Sequence, residues 1–193
     1  MPAPHLYSFD LNKAKALLKQ AGYAGKTLTF TISYLPDDTQ GIQIAQIWQS
    51  DLAKIGVTAK LQGIPIVTYG NVIQKASTNP DAWIGTWTQD YNDDSTQYWT
   101  YFYSKNLPPV GYNVFYFKDP SIDSLLVRAR GTSDAKAALA MYKQVCDKVY
   151  DLALEIPVAQ PTERVALRSN VHGYQYNYMS GRNYYPLYNM YKS

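Results

Sequence analysis

Two side chains of complementary chemistry stand three residues apart in the run Trp87-Thr88-Gln89-Asp90-Tyr91-Asn92-Asp93-Asp94. A broad aromatic face beside one fixed carboxylate suits an ammonium group carried on an otherwise apolar ligand. The run follows Ala82-Trp83-Ile84-Gly85-Thr86, an apolar stretch that reads as a buried strand. Trp87 and Asp90 therefore fall where a strand passes into a loop, and open α/β sheets bind ligands beyond the carboxyl ends of their strands. A carboxylate in such a place loses water and regains that loss only when a cation arrives in good geometry. One charged hydrogen bond of this kind is worth roughly 1.5–3 kcal/mol, and an indole over the cation adds about 0.5–2 kcal/mol. The same residues also describe a polar loop whose acids face water, and composition alone leaves both readings open.

An aromatic cluster, Tyr98, Trp99, Tyr101, Phe102 and Tyr103, lies just downstream. The spacing allows Trp99 and Phe102 to face a core while Tyr98 and Tyr101 face a cleft, with structural packing throughout as the default reading. Asp93 and Asp94 are placed to cap a helix over Ser95–Tyr103, where negative charge favours the N-terminus. Arg182 and Tyr184 are weaker candidates for facing a ligand. Catalysis has little support. His5 and His172 are far apart in sequence, and neither has a metal-ligand or nucleophile–base spacing. No glycine-rich phosphate loop is present, and Asp90 with Asp93 fits capping and solvation better than a pair of glycosidase acids. The single cysteine, Cys146, lies on the apolar stripe of a helical pattern, which excludes an internal disulfide and a cysteine metal cluster.

The elements that must hold these residues alternate between strand and helix. Asp10 caps a helix with Leu11, Ala14, Leu17, Leu18 and Ala21 on one face, stopped at Gly22. Thr27–Tyr34 alternates as a strand, and Asp38 or Thr39 opens a helix with Ile44, Trp48, Leu52 and Ile55 on its stripe. Val57, Ala59 and Leu61 alternate again, so strand–helix–strand order predicts a parallel pair with a right-handed crossover. A helix over Ile66–Ala76 precedes the Ala82–Trp87 strand, and Asn113–Phe117 reads as another strand. Asp119-Pro120 starts a helix that ends at Gly131, and Ser133 or Asp134 opens the longest helix, to about Leu154. Ile156–Ala159 and Val165–Leu167 read as short strands, the first an edge because of Pro157. In the tail, seven of the 18 residues from Tyr174 to Tyr191 are tyrosine, with little periodicity.

A length of 193 residues makes one large domain or two small ones, able to bury roughly 70% of the unfolded surface. Charged residues are sparse at 17% and the net charge is only +3. With the basic residues scattered, nucleic acid and anionic membrane are excluded as main partners. No apolar run is long enough to cross a bilayer. Met1-Pro2-Ala3-Pro4-His5 does not spell a signal peptide, so composition leaves the compartment open.

Four stretches in register resemble the C-terminal half of the family 5 extracellular solute-binding proteins, the oligopeptide and dipeptide receptors of bacterial ABC importers. They are Tyr7–Tyr23; Ile44–Leu61 with its Asp51-Leu-Ala-Lys-Ile-Gly-Val57; Gly85-Thr-Trp87-Thr-Gln-Asp90-Tyr91; and Phe117–Leu126 through the long helix to Ile156-Pro157-Val158 and Val171-His-Gly-Tyr174. The resemblance implies an α/β, type II periplasmic-binding-protein-like lobe, with a mixed sheet flanked by helices. Residues 1–170 would be the second lobe of a two-lobed clamshell and residues 171–193 a Tyr-rich return segment, with the first lobe outside this sequence. It implies a non-enzymatic periplasmic or extracellular receptor that captures peptides or related amine-bearing solutes for an ABC permease, without cofactor or metal. Carried over residue by residue, the family's aromatic–x–x–acid motif falls on Trp87 and Asp90, the acid pairing with a peptide α-amino group and the aromatic lining the pocket. Tyr91 within the motif and Tyr98 beyond it complete the candidate ligand-binding set. Many relatives continue Asp-Tyr-Pro-Asp-Pro; the run here, Asp90-Tyr-Asn-Asp-Asp94, lacks both prolines and is less restrained. Oligosaccharide capture by the same lobe is the alternative, since the aromatic surplus suits sugar stacking. A further alternative is an interaction module in which the Tyr-rich tail, left uncovered, associates with another copy.

Overall fold

The computed structural model describes residues 7–87, 95–159, 162, 164–176 and 187–193. The chain divides into two compact units, one built from His5–Thr86 with Leu107–Tyr116, the other from Trp87–Asn106 and Phe117–Ser193 with Met1–Pro4.

The first unit is a parallel sheet with helices threaded between its strands. Its elements are α1 (Leu11–Gln20), β1 (Leu28–Tyr34), α2 (Thr39–Ala53), β2 (Val57–Gly63), α3 (Ile66–Ile73) and β3 (Ala82–Trp83). The sheet order is β2-β1-β3, both pairs parallel, with Leu28 opposite Val57 and Tyr34 opposite Gly63. Short acidic side chains start α1 and α2, whereas α3 follows Pro65 without a side-chain cap. The Asp10 carboxylate accepts the Lys13 N–H at 2.9 Å and that of Asp38 accepts the Gln40 N–H at 3.1 Å. Gly41 follows from the second cap, because a Cβ there would lie 2.6 Å from Asp38 Oδ2.

Alternation along the strands decides what each face meets. Ile32, Ala45 and Ala59 are buried together, with Phe30, Trp48, Leu52, Leu61, Ala82 and Ile84 packed around them. Phe30 meets Trp48 edge-on, ring centroids 5.9 Å apart, and Gln49 Nε2 donates to the Ala59 carbonyl at 2.7 Å, stitching α2 to β2. Trp83, the odd residue between Ala82 and Ile84, instead meets Tyr69 of α3 with ring centroids 5.5 Å apart. The Asp81 carboxylate accepts the Thr31 N–H at 2.8 Å, replacing a ladder bond that so short a strand as β3 cannot supply. After β3 the Ile84 N–H still reaches the Ser33 carbonyl at 2.8 Å, but the strand expected to run to Trp87 has ended.

Asn113–Phe117, expected as a strand, is not one. The Val114 carbonyl is taken by Asn79 Nδ2 at 2.7 Å, the Tyr116 N–H closes a turn onto Asn113, and Tyr116 adopts φ 52°. A residue in that region cannot propagate a ladder.

The second unit is helical: α4 (Ser95–Phe102), α5 (Pro120–Gly131) and α6 (Ala135–Asp151), then a short antiparallel pair, β4 (Val171–His172) with β5 (Tyr191–Lys192). Asp119 accepts the N–H groups of Ser121 and Ile122 at 2.7 and 3.2 Å, with Pro120 in the first turn, and Asp134 caps α6 in the same way. Phe102, Ile122, Leu126 and Val145 are fully buried where the three helices meet. Cys146 is half-buried beside that core. Ile156–Ala159 and Val165–Leu167 form no strand here. The tail pairing that periodicity does not reveal is set at Gly173, where φ is 78° and a Cβ would overlap the Asn189 carbonyl.

Candidate functional site

Trp87 opens the Trp87–Asn106 segment of the helical unit, four positions beyond β3. Its half-buried indole stands edge-on to the ring of Tyr101 on α4, centroids 5.0 Å apart and planes at 74°, the favoured geometry for two aromatic quadrupoles. Its Nε1–H is shielded from solvent and has no acceptor among the described residues. Asp90 and Tyr91, the other residues of the motif, lie outside the described residues, as do Asp93 and Asp94, Arg182 and Tyr184. The helix that the two downstream acids were expected to cap does begin at Ser95.

The aromatic cluster on α4 divides differently from the expected pattern. Tyr98 and Tyr101 are both buried; Tyr98 is stacked on Tyr142 of α6, 6.4 Å between centroids at 20°, and stands 6.4 Å from Phe102. Phe102 is core as expected, whereas Trp99 is only half-buried. The Arg130 guanidinium lies 4.1 Å over one Trp99 face, and Tyr103 is stacked at 4.0 Å. This Arg–Trp–Tyr stack ties α5 to α4 by cation–π attraction and ring overlap.

Two residues the sequence reading did not single out lie on the same helix system. Glu155, shortly after α6, accepts two hydrogen bonds from Gln97 Nε2 on α4, at 2.8 and 3.0 Å. Burial pushes the Glu155 carboxyl above its ordinary range, and the Gln97 amide partly offsets this by stabilising the charged form. The available signal was an acid set inside the apolar run Leu152-Ala-Leu-Glu155-Ile-Pro157, which must find a partner when folded. Among the described residues no group of three His, Cys, Asp or Glu is arranged to hold a metal ion. No described helix is long and apolar enough to cross a membrane.

Residues 2–108 match the family of bacterial extracellular solute-binding proteins, family 5 Middle. A di/tripeptide-binding protein of Pseudomonas aeruginosa is 28% identical over 182 residues, covering 92% of this chain and 33% of that protein. A dipeptide-binding protein of Escherichia coli is 30% identical over 175 residues, covering 87% of this chain and 31% of its own length. Among solved structures, HbpA2 of Haemophilus parasuis superposes with a TM-score of 0.80 at 27% identity, over 99% of this chain and 37% of that one. The Helicobacter pylori periplasmic binding protein DppA, solved with the peptide STSA, gives a TM-score of 0.78 at 27% identity, over 96% of this chain and 35% of that one. The chain thus spans about a third of the length of the relatives it matches, and its α/β architecture, a parallel sheet flanked by helices, is that of the type II periplasmic binding proteins. With the match extending over more than half of its residues, the chain belongs to the family 5 bacterial extracellular solute-binding proteins.

Proposed function

We propose that this chain is the ligand-capturing second lobe of a receptor serving an ABC importer, and that it takes peptides or related amine-bearing solutes. The observation that carries the reading is the family match across the Trp87–Asp90 motif, among relatives whose names are those of dipeptide and di/tripeptide binders. In this reading Asp90 receives the ligand ammonium, while Trp87 and Tyr91 line the site. Tyr98 contributes from beneath, its ring being packed against Tyr142. Residues 1–170 make up the lobe and residues 171–193 the return segment. The parent protein is periplasmic or extracellular, acts without catalysis, and hands its ligand to a permease. Tyr188 and Leu187, 99% and 69% exposed, are apolar surface of the kind a first lobe would cover.

Half of a clamp binds weakly. If each lobe supplies half of a micromolar affinity of about −8 kcal/mol, this chain alone binds peptides only near millimolar. Calorimetric or chemical-shift titration with dialanine and trialanine, and with maltotriose for the oligosaccharide alternative, tests the reading. Millimolar peptide binding that weakens in Asp90→Asn, with no response to maltotriose, is the expected result. Binding of maltotriose alone transfers the site to sugars, and micromolar peptide binding by this chain contradicts the half-clamp.

A further inference from the structure

A buried carboxylate is costly unless a cation or several donors hold it. Glu155 is half-buried, has no cation within ion-pair distance among the described residues, and rests on the neutral Gln97 amide at 2.8 and 3.0 Å. Gln97 stands in the first turn of α4, and Tyr101 lies one turn further along the same helix face. Tyr101 in turn meets the Trp87 indole edge-on at 5.0 Å. Glu155, Gln97, Tyr101 and Trp87 thus follow one another along one side of α4. The apolar contacts of α4, Tyr98 on Tyr142 and the buried Phe102, set how deep the helix sits. On another side of α4 the Arg130 guanidinium over Trp99 holds the helix to α5, so the Gln97 side is held by its own contact. A hydrogen bond is directional, and this one engages the turn from which the helix starts.

We propose that Glu155 and Gln97 are positioning residues for Trp87: their contact fixes the rotation of α4, and through Tyr101 the orientation of the indole. As a role in ligand capture, this rests on the reading of Trp87 as a ligand-facing residue.

The test is the set of indole N–H resonances in a proton–nitrogen correlation spectrum of this chain, with that of Trp87 identified by its loss in Trp87→Phe. Glu155→Ala should move the Trp87 resonance while those of Trp48 and Trp83, in the other unit, keep their positions. Glu155→Gln, which preserves an amide-to-amide hydrogen bond to Gln97, should restore it. Gln97→Ala, which lets water reach the carboxylate, should reproduce the shift should Glu155→Ala fail to fold. A Trp87 resonance unmoved in a folded variant, or displaced as much in Glu155→Gln as in Glu155→Ala, overturns the proposal. Added trialanine then reads the consequence: affinity falls roughly threefold to thirtyfold in Glu155→Ala and recovers in Glu155→Gln. If wild type ignores trialanine, the peptide reading falls, while the resonance still decides the positioning.

Discussion

The indole of Trp83 lies over the backbone of Gly85, where a Cβ would overlap its six-membered ring. That ring is also the partner of Tyr69 on α3, so Gly85 keeps the end of β3 and its cover helix in register. Gly85→Ala forces the indole off its seat and should destabilise the sheet unit by about 1–3 kcal/mol, as overpacking does. Urea unfolding followed by near-ultraviolet circular dichroism measures this. An unchanged midpoint would show that the ring moves aside freely.

Asp119 starts α5 by accepting two backbone N–H groups, and the Ser121 hydroxyl beside it holds its carboxyl below the ordinary aspartate range. The lowered value means that its stabilisation is complete above the ordinary aspartate pKa and is lost as pH falls through the folded one. Asp119→Ala should therefore cost about 0.5–2 kcal/mol at neutral pH, and the gap to wild type should close under acid. A gap that persists in acid means the loss lies in packing and not in the cap.

These caps explain why much of the fold was legible. Asp10, Asp38, Asp119 and Asp134 act on N–H groups two or three residues away, so sequence alone carries the whole interaction. Asn113–Phe117 misled because its fate is decided by Asn79, 35 residues from Val114, which occupies a carbonyl the ladder would need. β4 and β5 are two residues each, too short to display a period, and they meet across Gly173 and Asn189. Within the candidate site, the aromatic partner of Trp87 was in view as part of a cluster. The Gln97–Glu155 contact spans 58 residues, so the apolar run around Glu155 signals that the acid needs a partner but not which residue supplies it.

The motif itself yields the prediction with the largest effect. On the proposed reading of Asp90 as the ammonium receptor, Asp90→Asn keeps the shape and removes the charge, and with it a charged hydrogen bond to the ligand worth roughly 1.5–3 kcal/mol. Peptide affinity should drop about tenfold or more, and N-acetylated trialanine, which lacks the ammonium, should bind both forms equally. Equal affinity of both forms for free trialanine would remove the ammonium role.

Glu155 gives a pH signature of opposite sign to that of Asp119. Burial raises its carboxyl above the ordinary 4.5, so the folded chain binds its proton more tightly than the unfolded chain does. The contribution to stability is complete below the ordinary glutamate pKa and is lost as pH rises through the raised value. Glu155→Gln stays neutral throughout and keeps a polar partner for Gln97. The variant should therefore match wild type below the ordinary glutamate pKa and pull ahead as pH rises through the raised value. Parallel melting series at several pH values report the difference directly. A difference independent of pH would mean that Gln97 and its surroundings carry the charged carboxylate without strain, and that burial at this site costs the fold nothing.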